Sequence, residues 1–276
     1  LLKYSENELV DSPDQIKHRI FRRVLTDMDI HGVEISSTAD IPGGTGLGSS
    51  STFTVGLLNT LNCYKGKFVS KDKLAKLACE VEIEKLGNPI GKQDQYGAAL
   101  GGLNFIKFNQ DGSVSHEPIL MEGKTYKKLQ KNLLMFYTGT TRSANTILAE
   151  QTKNITSEDK AKNLLKMCGL ARDMKAALEN NDISSFGKIL DEGWQLKKEL
   201  ASGIANPAID EAYEIAMKNG ALGGKLLGAG GGGFLLFYCE EEKQEQLKKA
   251  IGLRELDFSF ERDGTGVIYI GDKYWD

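Results

Sequence analysis

The residues able to do chemistry lie in three segments. Two are glycine clusters, Pro42-Gly43-Gly44-Thr45-Gly46-Leu47-Gly48-Ser49-Ser50-Ser51 and Gly228-Ala229-Gly230-Gly231-Gly232-Gly233. The third, between them, carries carboxylates from Glu80 to Asp94. Glycines let a backbone turn tightly and bring its N–H groups close to a ligand, and the unpaired N–H groups at a helix start attract an anion. The first cluster follows the alternating stretch His31–Ser36 and precedes Thr52–Leu61, whose apolar residues recur at helical spacing. The order is strand, glycine loop, helix, and a phosphate is its natural occupant. The bland alternative is an N-cap made by Ser49 or Ser50 after a flexible turn.

Two common phosphate loops are excluded. A Walker loop needs Lys and then Ser or Thr after its last glycine, whereas Gly48 is followed by Ser49 and Ser50. The dinucleotide fingerprint lacks its third glycine at Gly46–Ser51, and in the second cluster the matching Gly228, Gly230 and Gly233 run into Phe234–Tyr238, a strand pattern where that motif needs a helix. For the second cluster a wide turn or a close packing contact stays open.

Lys73–Leu86 places Leu74, Leu77, Ala78, Val81 and the stem of Lys85 on one helical stripe. Glu82 lies at one flank beside Ala78, with Glu80 and Glu84 at the other, and a surface role is the bland reading of each. Gly87 and Pro89 end the helix, and a new element starts near Asp94, for which a plain N-cap also stays open. His18, His31 and His116 form no ligand-spaced cluster. Phosphoryl transfer needs phosphate cradles, a metal-binding carboxylate and a carboxylate for the acceptor hydroxyl, and this chain offers all three.

Pro42–Thr52 resembles the phosphate-binding motif of the galactokinase, homoserine kinase, mevalonate kinase and phosphomevalonate kinase (GHMP) superfamily. Gly91-Lys92-Gln93-Asp94-Gln95 resembles its catalytic-aspartate segment, and Lys225–Phe234 its C-terminal glycine motif, all in the family's order. Leu133–Ala144, Gly223–Leu227 and Ile16-Lys17-His18 are similar to the branch that phosphorylates D-glycero-D-manno-heptose 7-phosphate to the 1,7-bisphosphate for bacterial surface sugars. Fucokinase-like members share much of this pattern. The resemblance implies that Pro42 to Ser51 (Pro42, Gly43, Gly44, Thr45, Gly46, Leu47, Gly48, Ser49, Ser50, Ser51) bind ATP phosphates, that Ser50 and Glu82 hold magnesium, and that Asp94 orients or deprotonates the anomeric hydroxyl. It assigns substrate contacts to Gly228, Gly230, Gly231 and Gly232. Arg142, between a strand at 133–137 and a helix opening near Ser143, is a candidate for the sugar phosphate through its guanidinium fork, and Lys225 is a second.

The resemblance also implies an α+β fold with an N-terminal domain like the second domain of ribosomal protein S5 and a ferredoxin-like C-terminal domain, the active site between them. The expected division is 1–145 and 146–276. Helices are expected at Ser157–Asn180, Asp182–Leu200, Pro207–Asn219 and 241–251, and strands at 234–238, Leu256–Phe260 and Val267–Ile270. Residues 1–40 contain nothing like the Gly-Gly-Gly-Thr-Asp stretch of the heptose branch, and the chain opens on Leu1, so an upstream segment is expected to be missing and activity is expected of the intact protein. A non-catalytic nucleotide-binding module is the alternative from another class.

The 276 residues carry 35 Lys and Arg against 38 Asp and Glu, a formal net charge of −3, which excludes an obvious polybasic nucleic-acid or membrane binder. Four dispersed cysteines without a CxxC pair argue against a zinc site or disulfide framework and fit a reducing cytoplasm. No apolar run approaches the roughly 18 residues of a membrane span. The expected partners are ATP and a sugar phosphate, with homodimerisation open.

Overall fold

A computed structural model describes residues 1–140 and 144–271, with backbone alone at 144 and 145. The contacts divide the chain into two compact units. The first comprises Leu1–Gly43, Gly48–Gly101 and 263–271, and the second Gly44–Leu47 and Gly102–Arg262.

The first unit contains β1 (Leu2–Lys3), β2 (Asn7–Glu8), α1 (Arg19–Met28), β3 (Ile35–Ser36), α2 (Ser49–Tyr64), α3 (Lys71–Cys79), a π turn at Glu80–Lys85 and α4 (Gln93–Leu100). Its sheet has the order β2-β1-β3, with β1 antiparallel to β2 and parallel to β3. The apolar spacing of α1 buries Ile20, Phe21, Val24 and Leu25, while α2 buries Val55, Leu57, Leu58 and Leu61. His18 Nδ1 accepts the Phe21 N–H at 3.4 Å, capping α1. Just upstream, the buried Glu8 carboxylate accepts from Lys17 N at 2.6 Å, His18 N at 3.1 Å and the Tyr4 hydroxyl at 2.7 Å. Burial pushes the Glu8 carboxyl up, but these donors carry it below its ordinary range.

The second unit contains β4 (Asn104–Phe108), β5 (Val114–Pro118), α5 (Gly123–Asn132), β6 (Leu133–Tyr137), α6 (Ala144–Asn154), α7 (Glu158–Glu179), α8 (Ser184–Lys198), α9 (Pro207–Lys218), β7 (Ala221–Leu226), β8 (Phe234–Cys239), α10 (Glu241–Ile251) and β9 (Arg254–Glu255). β4 and β5 form a hairpin, and the antiparallel sheet β7-β8-β6-β9 carries a core of Leu134, Phe136, Trp194, Tyr213, Leu235 and Phe237. Pro207 opens α9, whose N-cap Asn206 accepts from Ile209 N at 3.0 Å. The cut placed near residue 145 falls inside this unit, because β6 lies between β8 and β9.

Two expected strands are absent. Leu256 N makes one bond to Met135 O at 2.8 Å, after which Phe258 and Phe260 join the apolar cluster of Leu129 and Leu133, and Phe260 N turns to Gln130 Oε1. Val267–Ile270 pairs with no strand among the described residues, leaving Ile268 fully exposed. Its β-branched alternation is a preference that only a neighbouring strand can realise. The turn before it has a different partner. Lys71 Nζ donates to Asp263 O, Asn59 Nδ2 donates to Thr265 Oγ1 at 3.1 Å, and the Gly264 backbone packs against Gly101.

Candidate active site

In the first unit, α2 begins at Ser49 and its N-cap is Gly48, at φ 69°. Neither serine caps the helix, so the N–H groups of its first turn have no side-chain cap. The positive φ of Gly48 favours glycine, and Asp94 lies against it. A Cβ there would lie 3.4 Å from Asp94 Cβ and Cγ and 3.5 Å from Oδ2. Asp94 stands in the first turn of α4, whose N-cap is Lys92, and its side chain is exposed, which removes the plain N-cap reading.

Glu82 is 0% exposed. Ser50 Oγ donates to its Oε1 at 2.5 Å and Gln95 Nε2 to its Oε2 at 2.8 Å. An unbroken α-helix would leave Glu82 at the flank of the apolar stripe. Instead α3 widens into the π turn, closed by Leu86 N to Val81 O at 3.0 Å, and the added residue rotates Glu82 inward. Glu80 stays outside, paired with Lys85 at 2.7 Å.

No cation pairs with Glu82 among the described residues, and no group of three or more His, Cys, Asp or Glu could form a closed metal cage. One buried carboxylate beside one hydroxyl therefore fits a hard dication that keeps its waters and takes its remaining ligands from phosphate oxygens.

In the second unit, Gly44–Leu47 packs on the second glycine cluster. A Cβ on Gly46 (φ 81°) would lie 2.8 Å from Leu227 O. One on Gly228 (φ 69°) would lie 2.5 Å from Gly46 Cα. Lys197 Nζ holds this turn by donating to Gly228 O at 2.5 Å. Gly231 N donates to Ile204 O and Gly233 N to Thr140 O, both at 2.9 Å. The second cluster is thus a seam of close backbone contacts, and two of its N–H groups are used within the protein.

Within the first cluster Pro42, Gly43 and Gly44 are exposed, Thr45 and Ser51 are buried, and Gly46 and Leu47 are half-buried. Gly228 is exposed, while Gly230, Gly231 and Gly232 are buried. Lys225 is half-buried on β7 opposite Leu236. Arg142 lies outside the described residues. Ser50, Glu82 and Asp94 are brought together around the start of α2. Sequence reasoning missed Gln95 and Lys197. Gln95 sits beside Asp94 in the quoted motif, but only the Glu82 contact gives it a role, and nothing local marks Lys197. All four cysteines are free, and burial pushes the Cys79 and Cys239 thiols up to about 11, so both are protonated at neutral pH. No helix among the described residues is long and apolar enough to cross a membrane.

The GHMP kinases N terminal domain family matches residues 15–102 and the GHMP kinases C terminal family matches residues 174–255. The chain is 32% identical over 273 residues to the D-glycero-alpha-D-manno-heptose 7-phosphate kinase of Campylobacter jejuni, covering 95% of this chain and 80% of that protein. It is 33% identical over 206 residues to the L-fucokinase/L-fucose-1-P guanylyltransferase of Bacteroides fragilis, covering 72% of this chain and 21% of that protein. The crystal structure of a D-glycero-D-manno-heptose 1-phosphate kinase from Bacteroides thetaiotaomicron superposes with a TM-score of 0.65 at 29% identity, covering 89% of this chain and 71% of that one. With both family halves matched in order, the chain belongs to the GHMP kinases, α+β enzymes that use ATP.

Proposed function

We propose that the intact protein transfers the γ-phosphoryl group of ATP to the anomeric hydroxyl of D-glycero-D-manno-heptose 7-phosphate, giving the 1,7-bisphosphate for bacterial surface-sugar nucleotides in the cytoplasm. The observation that carries the chemistry is the exposed Asp94 carboxylate against Gly48 at the uncapped start of α2, with the Ser50–Glu82 pair beside it. The segment Pro42–Ser51 binds the ATP phosphates through the N–H groups that follow Pro42, the loop's glycines permitting close approach. Ser50 Oγ and Glu82 hold magnesium, which when bound neutralises phosphate charge. Asp94 orients the acceptor hydroxyl and takes its proton as the oxygen bonds to the γ-phosphorus. The bond from that phosphorus to the β–γ bridging oxygen breaks, and ADP leaves with the electron pair. Arg142 and Lys225 are the proposed cations for the sugar phosphate, and the Gly228–Gly232 seam supports the acceptor side.

The acceptor rests on the heptose relatives, whose names differ in phosphate position, and the fucokinase match keeps a second sugar in view. A phosphorus NMR time course of the full-length protein with ATP and magnesium tests heptose 7-phosphate, heptose 1-phosphate, fucose and mannose in parallel. A new anomeric phosphate with heptose 7-phosphate alone is the expected result. Asp94→Asn should lower kcat by about 10² to 10⁴ with folding retained. Product from another sugar alone overturns the acceptor, and no product from any sugar despite ATP binding overturns the reaction.

A further inference from the structure

Gln95 is completely buried in the first turn of α4. Its Nε2 donates to Glu82 Oε2 at 2.8 Å, whereas its Oε1 has no hydrogen-bond partner among the described residues. An orphaned buried carbonyl carries a desolvation cost that an apolar side chain of the same volume would avoid. Packing alone therefore does not favour glutamine here. What the amide supplies is a fixed donor on the second carboxylate oxygen of Glu82, the first being held by Ser50. Because residue 95 directly follows Asp94, the same helical turn that presents Asp94 to Gly48 sets the angle of the Glu82 carboxylate.

We infer that Gln95 is a positioning residue that orients Glu82 for a divalent cation and holds it in register with Asp94. The inference rests on the kinase reading for the cation's role. The register itself rests on the Glu82–Gln95 bond and on Asp94 against Gly48. Partners that orient a metal ligand typically change metal affinity 10- to 100-fold when removed. Gln95→Met keeps the volume and removes the donor, and Gln95→Asn keeps the amide but withdraws it by one methylene.

The test uses the full-length wild type and both variants. Electron paramagnetic resonance of free Mn²⁺ is titrated in the presence of ADP, and turnover is measured against Mg²⁺ at saturating ATP. Both variants should show a Mn²⁺ dissociation constant raised about tenfold or more and a matching rise in the Mg²⁺ needed for half-maximal turnover. The sugar KM should stay within about twofold, because the change is confined to the cation. Unchanged Mn²⁺ retention in a folded variant, or a fall in kcat with unaltered metal dependence, overturns the inference. So does a wild type that retains no Mn²⁺ with ADP. Weakened Mn²⁺ retention in the variants, with a wild type that phosphorylates no sugar, upholds Gln95 and sinks the kinase reading. Gln95→Asn carries the test where Gln95→Met does not fold.

Discussion

Replacing Gly228 by alanine tests the packing of the two glycine clusters, and the structure sets the size of the effect. Gly228 has φ 69°, so any L side chain there costs about 1–2 kcal/mol from conformation alone. The new Cβ would also lie 2.5 Å from Gly46 Cα and 2.8 Å from Gly46 O, a collision with backbone that cannot swing aside. Overpacking of that kind adds about 1–3 kcal/mol, for a total of about 2–5 kcal/mol. Gly44 is the control. It has φ 77° but no atom within 4 Å of its would-be Cβ, so Gly44→Ala carries only the conformational part. Both should be measured by urea unfolding in a Trp275→Phe background, where the signal comes from the buried Trp194 of the second unit. The same collision displaces Gly46, so the KM for ATP should rise in Gly228→Ala more than in Gly44→Ala. Equal destabilisation of the two variants, to within about 0.5 kcal/mol, together with equal KM, would refute the close approach.

Two further outcomes follow from particular contacts. Burial lowers the His18 imidazole below its usual value of 6.5, although Glu8 opposes the shift, and the neutral ring caps α1. A depressed folded value gives stability that is present above the unfolded value and lost as pH falls through the folded one. The urea midpoint should therefore drop below pH 6.5 in the wild type and drop less in His18→Asn, which caps without titrating; parallel profiles would exclude the role. Lys197→Met removes the charged donor to Gly228 O and should raise the KM for ATP several-fold, with partial recovery in Lys197→Arg. An unchanged KM would reduce Lys197 to a surface contact.

Local signals carried the helices and the loop. The period of α7, α8 and α10, Pro207 at the start of α9, and a glycine loop before α2 all have causes within a few residues, so they are legible in one chain. Glu82 is legible only in part. Its choice as a magnesium ligand came through the resemblance, but its burial depends on a π turn that α-helical periodicity cannot express. Gln95 and Lys197 act across 13 and 31 residues, on Glu82 and Gly228, so no local pattern marks them. At 256–260 and 267–270 the error runs the other way. Strand propensity was present, but the sequence does not say whether a partner strand stands alongside.

The buried carboxylate separates stability from function in one substitution. Glu82 is fully buried with two donors and no cation partner among the described residues, so a carboxylate charge there is taken out of water and held by hydrogen bonds alone. Glu82→Gln removes the charge at equal volume. Ser50 can still donate to the new amide oxygen, and after a flip Gln95 Oε1 can accept from the new amide nitrogen, so both contacts to residue 82 are kept without the buried charge. Without ligands the variant should therefore be more stable than the wild type by about 1 kcal/mol or more. That corresponds to a thermal midpoint higher by about 2–4 °C for a chain of this size. It should also lose Mn²⁺ retention with ADP, because an amide cannot replace the carboxylate's charge. A midpoint that falls would mean that the carboxylate is already compensated in the free protein, and the argument that Glu82 is held ready for a cation would fail with it.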